Sequence, residues 1–534
     1  LNFYQLEQLI TEAMQAAKVP GAAVAVIYNN EVVYANGFGV TSVEDGGLPC
    51  TPNTLFRIGS TSKPLTTTAI MRLVEQGILE LDTPIDELLP DLQFSESGAI
   101  QQVTLRKLLS HQAALPTAAE HWGSREPSGL RESVYRDIPA YRLIAPVGKI
   151  WSYSNPGINL AGYLAEAASG KPYTELMQEL VFDPLAMKRT TFDPLIAMTY
   201  PVAQSHDVDE TGALRVQHRY ADNTQHYPSG FAISTVLDLA NFAIMLMNGG
   251  KFNDQQVLSA ESVAEMQRPQ ASFIALNGDG YGLTLSSHDY KGLRRVGHGG
   301  RISTFASLFE MIPERGAAVI VLANRAAEWS PQEEKIARFV FDGLLDLPAS
   351  VPAPQTLPPN PAQWSRLTGT YIGLTMGLAT ISVENDALML EWEGAKHPLQ
   401  AVRDNLYIAQ LPNQDDPFTV GFMIEDGSPA EYINVLPIPG HSVPLQRLAF
   451  DDAYQPNPAS WSAYTGTYSD GTFSFEVVIE DGQLLVKSSL FPAPLPARDI
   501  GEHRFLLPMG LITFELPDKL RLGTSMIFNR QTEN

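Results

Sequence analysis

The stretch "PNPAQWSRLTGTY" at residues 359–371 returns as "PNPASWSAYTGTY" at 456–468, which sets Trp364 and Trp461 97 residues apart. Each copy runs on into alternating, strand-like sequence, "ATISVENDALMLEWEG" in the first and "FSFEVVIEDGQLLVKSS" in the second. Asn385-Asp386 and Asp481-Gly482 are hairpin turn signals within these runs. Many short strands in so few residues predict two small antiparallel β-barrels or sandwiches made by duplication. Just before the first copy lies "LPASVPAPQTLPPNP", residues 347–361, with six prolines. It lacks the apolar content of a core and reads as a semi-rigid linker.

The chain has 534 residues, more than one core accommodates. The pattern divides it into a catalytic-sized segment at 1–346, the linker at 347–360, a first β repeat at 361–455 and a second at 456–534. In the first segment, residues 3–17 carry apolar side chains at helical spacing (Leu6, Leu9, Ile10, Ala13, Met14). "GAAVAVIYNNEVVYANGFGV" follows as two strands joined at Asn29-Asn30. The middle, from about 80 to 250, reads as helices and long loops. "YGLTLSS", "GLRRVGHG", "TFASLFEMI" and "AAVIVLAN" then read as strands, and a helix from about Gln332 to Leu345 closes the segment. Strands at both ends with helices between predict one mixed α/β (α+β) domain whose sheet joins the two ends.

Formal net charge is −23. That charge disfavours nucleic acid and anionic membranes as partners, because both select basic patches. No apolar run is long enough for a bilayer-spanning helix. Cys50 is the one cysteine, so the chain forms no internal disulfide and no thiolate metal site. No metal or cofactor is expected. The sequence opens "LNFYQLEQLI", without Met or a charged-then-apolar signal segment. The compartment is therefore left open between cytoplasmic and exported with a leader removed.

Three short motifs carry chemistry. In "LFRIGSTSKPLTTTAIMRLVEQGIL", Ser60 and Lys63 are three apart at an expected helix start. That spacing puts both on one face, so the lysine reaches the serine hydroxyl. Burial among Leu55, Phe56, Ile58 and Leu65 would lower the lysine pKa, and a neutral lysine can act as base to a serine nucleophile. The competing reading is a Ser N-cap beside an exposed Lys. Tyr-x-Asn occurs at Tyr28/Asn30 and Tyr432/Asn434, in strand-like contexts, and at Tyr153/Asn155, in a loop that opens a helix. A phenol beside a cationic lysine ionises more easily and can serve as base, with Asn155 orienting the lysine or a substrate amide. The bland alternative is a Tyr packed in a turn. His298-Gly299-Gly300 lies in "RRVGHGGRISTFASLF", where two glycines permit close backbone approach. The amides of Ser60 and Arg301 are the natural pair to receive an oxyanion. A Gly-rich turn with a surface His is the alternative here.

"FRIGSTSKPLT", "WSYSNPG" and "GHGG", in that order, resemble the serine β-lactamase and penicillin-binding-protein superfamily. The likeness is closest to the branch with class C β-lactamases, family VIII esterases, D-aminopeptidases and peptidase family S12. "VTLRKLLSHQAALP" and "YPSGFAISTVLDLANFAIMLMNGG" resemble further segments of that branch, and the likeness spans about residues 5–345. It implies a β-lactamase-like domain with a central antiparallel sheet flanked by helices. It also implies an acylated Ser60, Lys63 as its base partner, Tyr153 as base or proton shuttle, and Asn155 as an orienting residue. His298 stands where the family has the lysine of Lys-Thr-Gly. An imidazole is mostly neutral at pH 7, which weakens a substrate-carboxylate anchor and with it β-lactamase or carboxypeptidase action. Arg301 restores the charge if its side chain enters the site. A catalytic domain followed by two lipocalin-like barrels is similar to D-stereospecific aminopeptidase architecture. The resemblance implies a serine hydrolase of D-aminopeptidase type acting on a small-molecule or short-peptide substrate. Family VIII esterase, acyltransferase or peptide cyclase, β-lactamase and non-catalytic penicillin binder are the alternatives. The barrels are expected to restrict the cleft or to form a homo-oligomer interface, and a ligand carrier is a further reading of them.

Overall fold

"GAAVAVIY" is apolar and small or β-branched almost throughout, and it forms the buried strand β1 (Gly21–Tyr28). Asn29 and Asn30 both take left-handed φ angles, 52° and 62°, as a two-residue hairpin turn requires. They lead into β2 (Glu31–Gly39). The chain returns to this sheet much later with β3 (Ala271–Ser272), β4 (Gly280–Tyr281), β5 (Ser286–Tyr290), β6 (Leu293–Ile302), β7 (Phe305–Ile312) and β8 (Ala317–Ala323). The strand order is β2-β1-β8-β7-β6-β5-β4-β3, antiparallel throughout, with β1 against β8 from Ala22↔Ala323 to Ile27↔Ala318. A computed structural model describes residues 1–534 other than 118–121, 349–351, 374–376, 413–415, 426, 439–440, 450, 452, 470–473, 489–492, 524–525 and 532–534.

Helices α1 (Phe3–Ala16), α2 (Ser62–Glu75), α3 (Asn155–Ser169), α4 (Val236–Met247) and α5 (Ser330–Leu345) surround the sheet, with shorter helices between them. Successive β1 side chains point to opposite faces. Ala23, Ala25 and Ile27 join the core that holds α2, α3 and α4 residues, while Ala22, Val24 and Val26 join the one built by α1 and α5. The result is a helix–sheet–helix sandwich. Two details depart from the sequence expectation. "YGLTLSS" is a tight turn between β4 and β5 and not one strand: Gly282 N donates to Leu285 O at 2.7 Å, and Thr284 sits at φ 59°. Ser60 lies in a 3₁₀ turn, Gly59–Thr61, and α2 itself starts at Ser62.

The repeats form two nine-stranded antiparallel sheets, each nearly closed into a barrel. In each, the two end strands are chain neighbours, Ala395–Pro398 beside Gln400–Arg403 and Leu495–Pro496 beside Arg498–Asp499. The repeated motif has one structural explanation in both copies. Trp364 and Trp461 enter the barrel cores. Tyr371 OH donates to Leu367 O at 2.7 Å, and Tyr468 OH donates to Tyr464 O at 2.9 Å. The glycine before each tyrosine has positive φ, 152° at Gly369 and 142° at Gly466. The positive φ favours glycine, and a Cβ on either would also press on an arginine side chain, Arg447 at 3.0 Å or Arg530 at 2.9 Å.

The first barrel sits on the sandwich. The Phe418–Met423 strand places Gly421 so close to Ile274 that a Cβ there would lie 2.3 Å from its carbonyl oxygen. Tyr432 packs with Ala114, Ile144 and Ile150, and Leu436 with Trp151, Phe273 and Tyr281. Ion pairs Lys149–Glu425 and Arg338–Asp416 flank these contacts. The barrels meet each other through Ile372, Leu448, Ile500 and Leu511. Among the described residues no helix is long and apolar enough to cross a membrane, and no group of three metal-ligating side chains assembles. Truncating Trp461 to Ala removes a core aromatic and is expected to cost roughly 3 kcal/mol. Urea denaturation followed by tryptophan fluorescence checks this; a loss under about 1 kcal/mol contradicts the packing role given to the repeat.

Candidate active site

The nucleophile candidate is set by a backbone contact. Gly59 has φ 51°, and a Cβ on it would lie 2.6 Å from Arg301 N. Gly300 is reciprocally tight: its Cβ would meet Ile58 O at 2.0 Å, Ser307 Oγ at 2.4 Å and Ser60 N at 3.0 Å. Glycine on both sides lets the Ile58–Ser60 segment and β6 touch main chain to main chain. Ser307, on β7 opposite Gly300, pins the contact by donating to Ile58 O at 2.6 Å. Thr61 Oγ1 lies 2.7 Å from Ser307 Oγ. The main-chain nitrogens of Ser60 and Arg301 are thereby brought to the same backbone contact.

Ser60 Oγ lies 2.8 Å from Lys63 Nζ and accepts a hydrogen bond from Tyr153 OH at 2.8 Å. Lys63 is fully buried, and that burial drives its ammonium well below the ordinary lysine value. Its Nζ donates to Ser229 O at 2.6 Å and stands 4.8 Å from the centre of the Tyr153 ring. Ser229 is held in place because Thr66, one turn along α2 from Lys63, donates to Pro228 O at 2.7 Å. Burial raises the Tyr153 phenol above the ordinary tyrosine value, with the Ser60 bond acting against it. The expectation that a cationic Lys63 eases ionisation of Tyr153 is thus reversed. Desolvation acts on both, disfavouring the ammonium of Lys63 and the phenolate of Tyr153 alike.

Tyr153 precedes α3, whose N-cap Ser154 accepts from Gly157 N at 3.1 Å and donates to Pro116 O at 2.9 Å. Asn155, half-buried, is the first residue of α3. His298 lies on β6 beside the tyrosine, ring centres 6.1 Å apart. Its Nδ1 faces Gly299 O and its Nε2 lies 3.0 Å from Tyr281 OH. Proton placement follows: Nδ1–H donates to the carbonyl and Nε2 accepts from the phenol. Gly299 continues the same strand. The Arg301 side chain leaves the site, donating to Ser330 Oγ at 2.6 Å and pairing with Glu333 on α5. The condition under which the Arg301 side chain would restore a charge to the site is therefore not met in this structure, since the guanidinium is held on α5.

A family model described as Beta-lactamase matches residues 6–341. The chain belongs to the beta-lactamase family. Penicillin-binding protein 4 of Amycolatopsis lactamdurans is 28% identical over 376 residues, covering 66% of this chain and 93% of that protein. Protein flp of Staphylococcus aureus (strain MW2) is 24% identical over 332 residues, covering 61% of this chain and 64% of flp, so the chain spans less than two thirds of that relative. Among solved structures, the octameric penicillin-binding protein homologue from Pyrococcus abyssi aligns with TM-score 0.57 and 26% identity, over 84% of this chain and 100% of that one. SurE with D-Leu aligns with TM-score 0.59 and 24% identity, over 83% and 99%. Both alignments extend past the family match into the barrel region, since residues 6–341 are a smaller share of the chain than either covers.

Within this beta-lactamase fold, Ser60, Lys63, Tyr153, His298, Gly299 and Gly300 gather at one place. The other Tyr-x-Asn pairs do not join them. Tyr28/Asn30 ends β1, and Tyr432/Asn434 lies in the first barrel. A further match, Tyr34/Asn36 on β2, bonds to Glu7 of α1. The motif reading assigns no role to Ser229, Ser307, Tyr281, His111 or Leu436. Ser229 and His111 stand inside "YPSGF" and "LLSHQAALP", stretches already singled out; Leu436 carries no local signal, since only the barrel's seating brings it near. Gly300→Ala is expected to push β6 off the Ser60 turn and reduce turnover by at least a hundredfold while the fold survives. Steady-state kinetics with circular dichroism checks this, and near-normal turnover would contradict the contact.

Proposed function

We propose that the protein is a serine hydrolase that works through an acyl-enzyme on amide or ester bonds, of D-aminopeptidase type. The observation carrying this is the single oxygen, Ser60 Oγ, held at 2.8 Å by both a buried lysine and a phenol. Membership of the superfamily supports the serine-hydrolase part. The neutral Lys63 amine takes the Ser60 proton as Oγ attacks the carbonyl carbon. The Ser60 and Arg301 amides receive the developing oxyanion. Tyr153 OH gives its proton to the departing amine or alcohol, and the Lys63 ammonium restores it. Water then attacks the acyl group by the reverse relay, and Ser60 leaves protonated. Asn155 orients the lysine or the substrate amide.

Substrate choice follows from what β6 presents. Gly299 and Gly300 offer no side-chain hydroxyl or cation, Arg301 is turned to Glu333, and His298 Nε2 is taken by Tyr281. A free carboxylate beside the scissile bond therefore lacks a charged anchor on this strand. D- and L-amino-acid p-nitroanilides, short-chain p-nitrophenyl esters, matched free-acid peptides and nitrocefin form the deciding panel. The D-series is included because the fold neighbour SurE has been crystallised with D-Leu. Cleavage of a D-amino-acid anilide is expected; preference for the free acids or efficient nitrocefin hydrolysis would contradict the reading, and turnover of esters alone would move it to an esterase. The octameric Pyrococcus abyssi homologue supports a homo-oligomer, which a light-scattering mass of one 58.4 kDa chain would reject.

Ser60→Ala should abolish turnover. Lys63→Ala and Tyr153→Phe should each cost on the order of a hundredfold or more, and their combination little beyond either, since the groups act as a unit. Activity of Ser60→Ala within tenfold of wild type would sink the mechanism. The pH profile carries a sign. A base must be unprotonated, so kcat/KM is full above the depressed Lys63 pKa and falls as pH drops through it. The raised Tyr153 value keeps the phenol protonated past the ordinary tyrosine pKa of about 10. A rising limb placed at the ordinary lysine value of about 10.4 would show a cationic Lys63 and contradict this assignment.

A further inference from the structure

His111 follows the short helix Leu105–Leu109 and is 1% exposed. Its φ is 57°, a left-handed angle that histidine and asparagine tolerate better than most residues. Two peptide groups hang from it. Ser152 N donates to the His111 carbonyl at 2.8 Å, and Ser154 N donates to Nδ1 at 3.2 Å. These are the residues on either side of Tyr153. The imidazole also packs on the tyrosine, ring centres 4.5 Å apart, with Tyr281 at 5.0 Å and Trp151 at 5.9 Å closing the cage. Since Nδ1 accepts a backbone N–H, the ring proton sits on Nε2. That buried nitrogen has no hydrogen-bond partner among the described residues, and the rings beside it are aromatic. N–H contact with aromatic faces is weakly favourable. Burial holds the His111 pKa well below the ordinary histidine value and so keeps the ring neutral.

The Ser154 amide and the Tyr153 ring are thus held by one side chain, the Ser152 amide by the main chain of the same residue, and that side chain makes no bond to Ser60, Lys63 or His298 in this structure. We propose that His111 is the positioning residue for Tyr153: through the Ser154 amide and its own ring, with its main-chain carbonyl holding the Ser152 amide, it sets the phenol's reach to Ser60 Oγ. The inference rests on the serine-hydrolase reading above. Its acting part is the Nδ1 acceptor. Asparagine can offer Oδ1 in nearly the same place and keeps the left-handed φ; phenylalanine keeps the ring and offers nothing to Ser154 N.

The test measures p-nitrophenyl butyrate turnover and the rate of Ser60 labelling by a small fluorophosphonate, with circular dichroism as the folding control. The proteins are wild type, His111→Phe, His111→Ala, His111→Asn, and the first three of these combined with Tyr153→Phe. His111→Phe is expected to lower kcat by at least tenfold with KM within about twofold, because a misplaced phenol impairs proton transfer more than binding. His111→Asn should recover kcat to within about threefold of wild type. In the Tyr153→Phe background the His111 changes should add less than a twofold loss, because there is then no phenol to position. A loss that persists undiminished in that background, a His111→Asn as poor as His111→Phe, or kcat within twofold of wild type in His111→Phe overturns the proposal. Should His111→Phe not fold, the cycle is read from His111→Ala; if no variant folds, the residue is a folding determinant and the proposal is likewise overturned. Absence of labelling in wild type would sink the hydrolase reading itself. Labelled wild type with a failed cycle sinks only the role of His111.

Discussion

The main-chain contact between the Gly59 turn and Gly300–Arg301 is the constraint on which the rest depends. Two backbones approach this closely only where neither carries a Cβ. Ser307, donating to Ile58 O, and Thr61, beside it, clamp the approach from within the sheet. The contact ties the start of α2 to β6, so the serine, its lysine one helical step on, and the strand amides are one rigid body. The mechanism proposed above, with a carbonyl held between Ser60 and two N–H groups, would need that rigidity, since misplacement of about 1 Å can cost a hundredfold.

Around this body stands an aromatic wall built by three separate parts of the chain. Trp151 and Tyr153 come from the approach to α3, Phe273 and Tyr281 from the β3–β4 region, and Leu436 from the first barrel. The barrel thus packs on residues that touch Tyr153 and is not a remote appendage. Its flanking ion pairs add little to this contact, because exposed pairs contribute at most about 1 kcal/mol. Apolar burial carries it.

How much of this is legible in the sequence differs by kind of signal. The hairpin at Asn29-Asn30, the two barrels and the helix–sheet sandwich follow from local pattern and from the duplicated Trp and Thr-Gly-Thr-Tyr motif, whose meaning is a repeated tyrosine-to-backbone bond and a repeated arginine over glycine. Ser60 and Lys63 are readable as partners because they stand three positions apart, the spacing that brings two side chains to one side of a helical turn. Tyr153 is separable from the other Tyr-x-Asn pairs only by motif order. What escapes is set by packing across long separations. The direction of the Arg301 side chain depends on a carboxylate on α5, and the sign of the Tyr153 shift depends on burial that no local stretch announces. The turn inside "YGLTLSS" hides because Thr284 takes a left-handed angle that a β-branched residue rarely adopts.

The pairing of β1 with β8 has a consequence in time. Two adjoining strands of the eight-stranded sheet lie at opposite ends of their segment, Ala22 against Ala323. On a ribosome adding about 5–20 residues per second, the finished N-terminal hairpin waits roughly a quarter of a minute to a minute for the strand that covers its inner edge. During that interval a long run of apolar, β-branched backbone is unpaired, the kind of edge that recruits other chains. The nascent chain therefore carries an uncovered apolar strand edge through that interval, and the aromatic wall waits longer still, until Leu436 has been made.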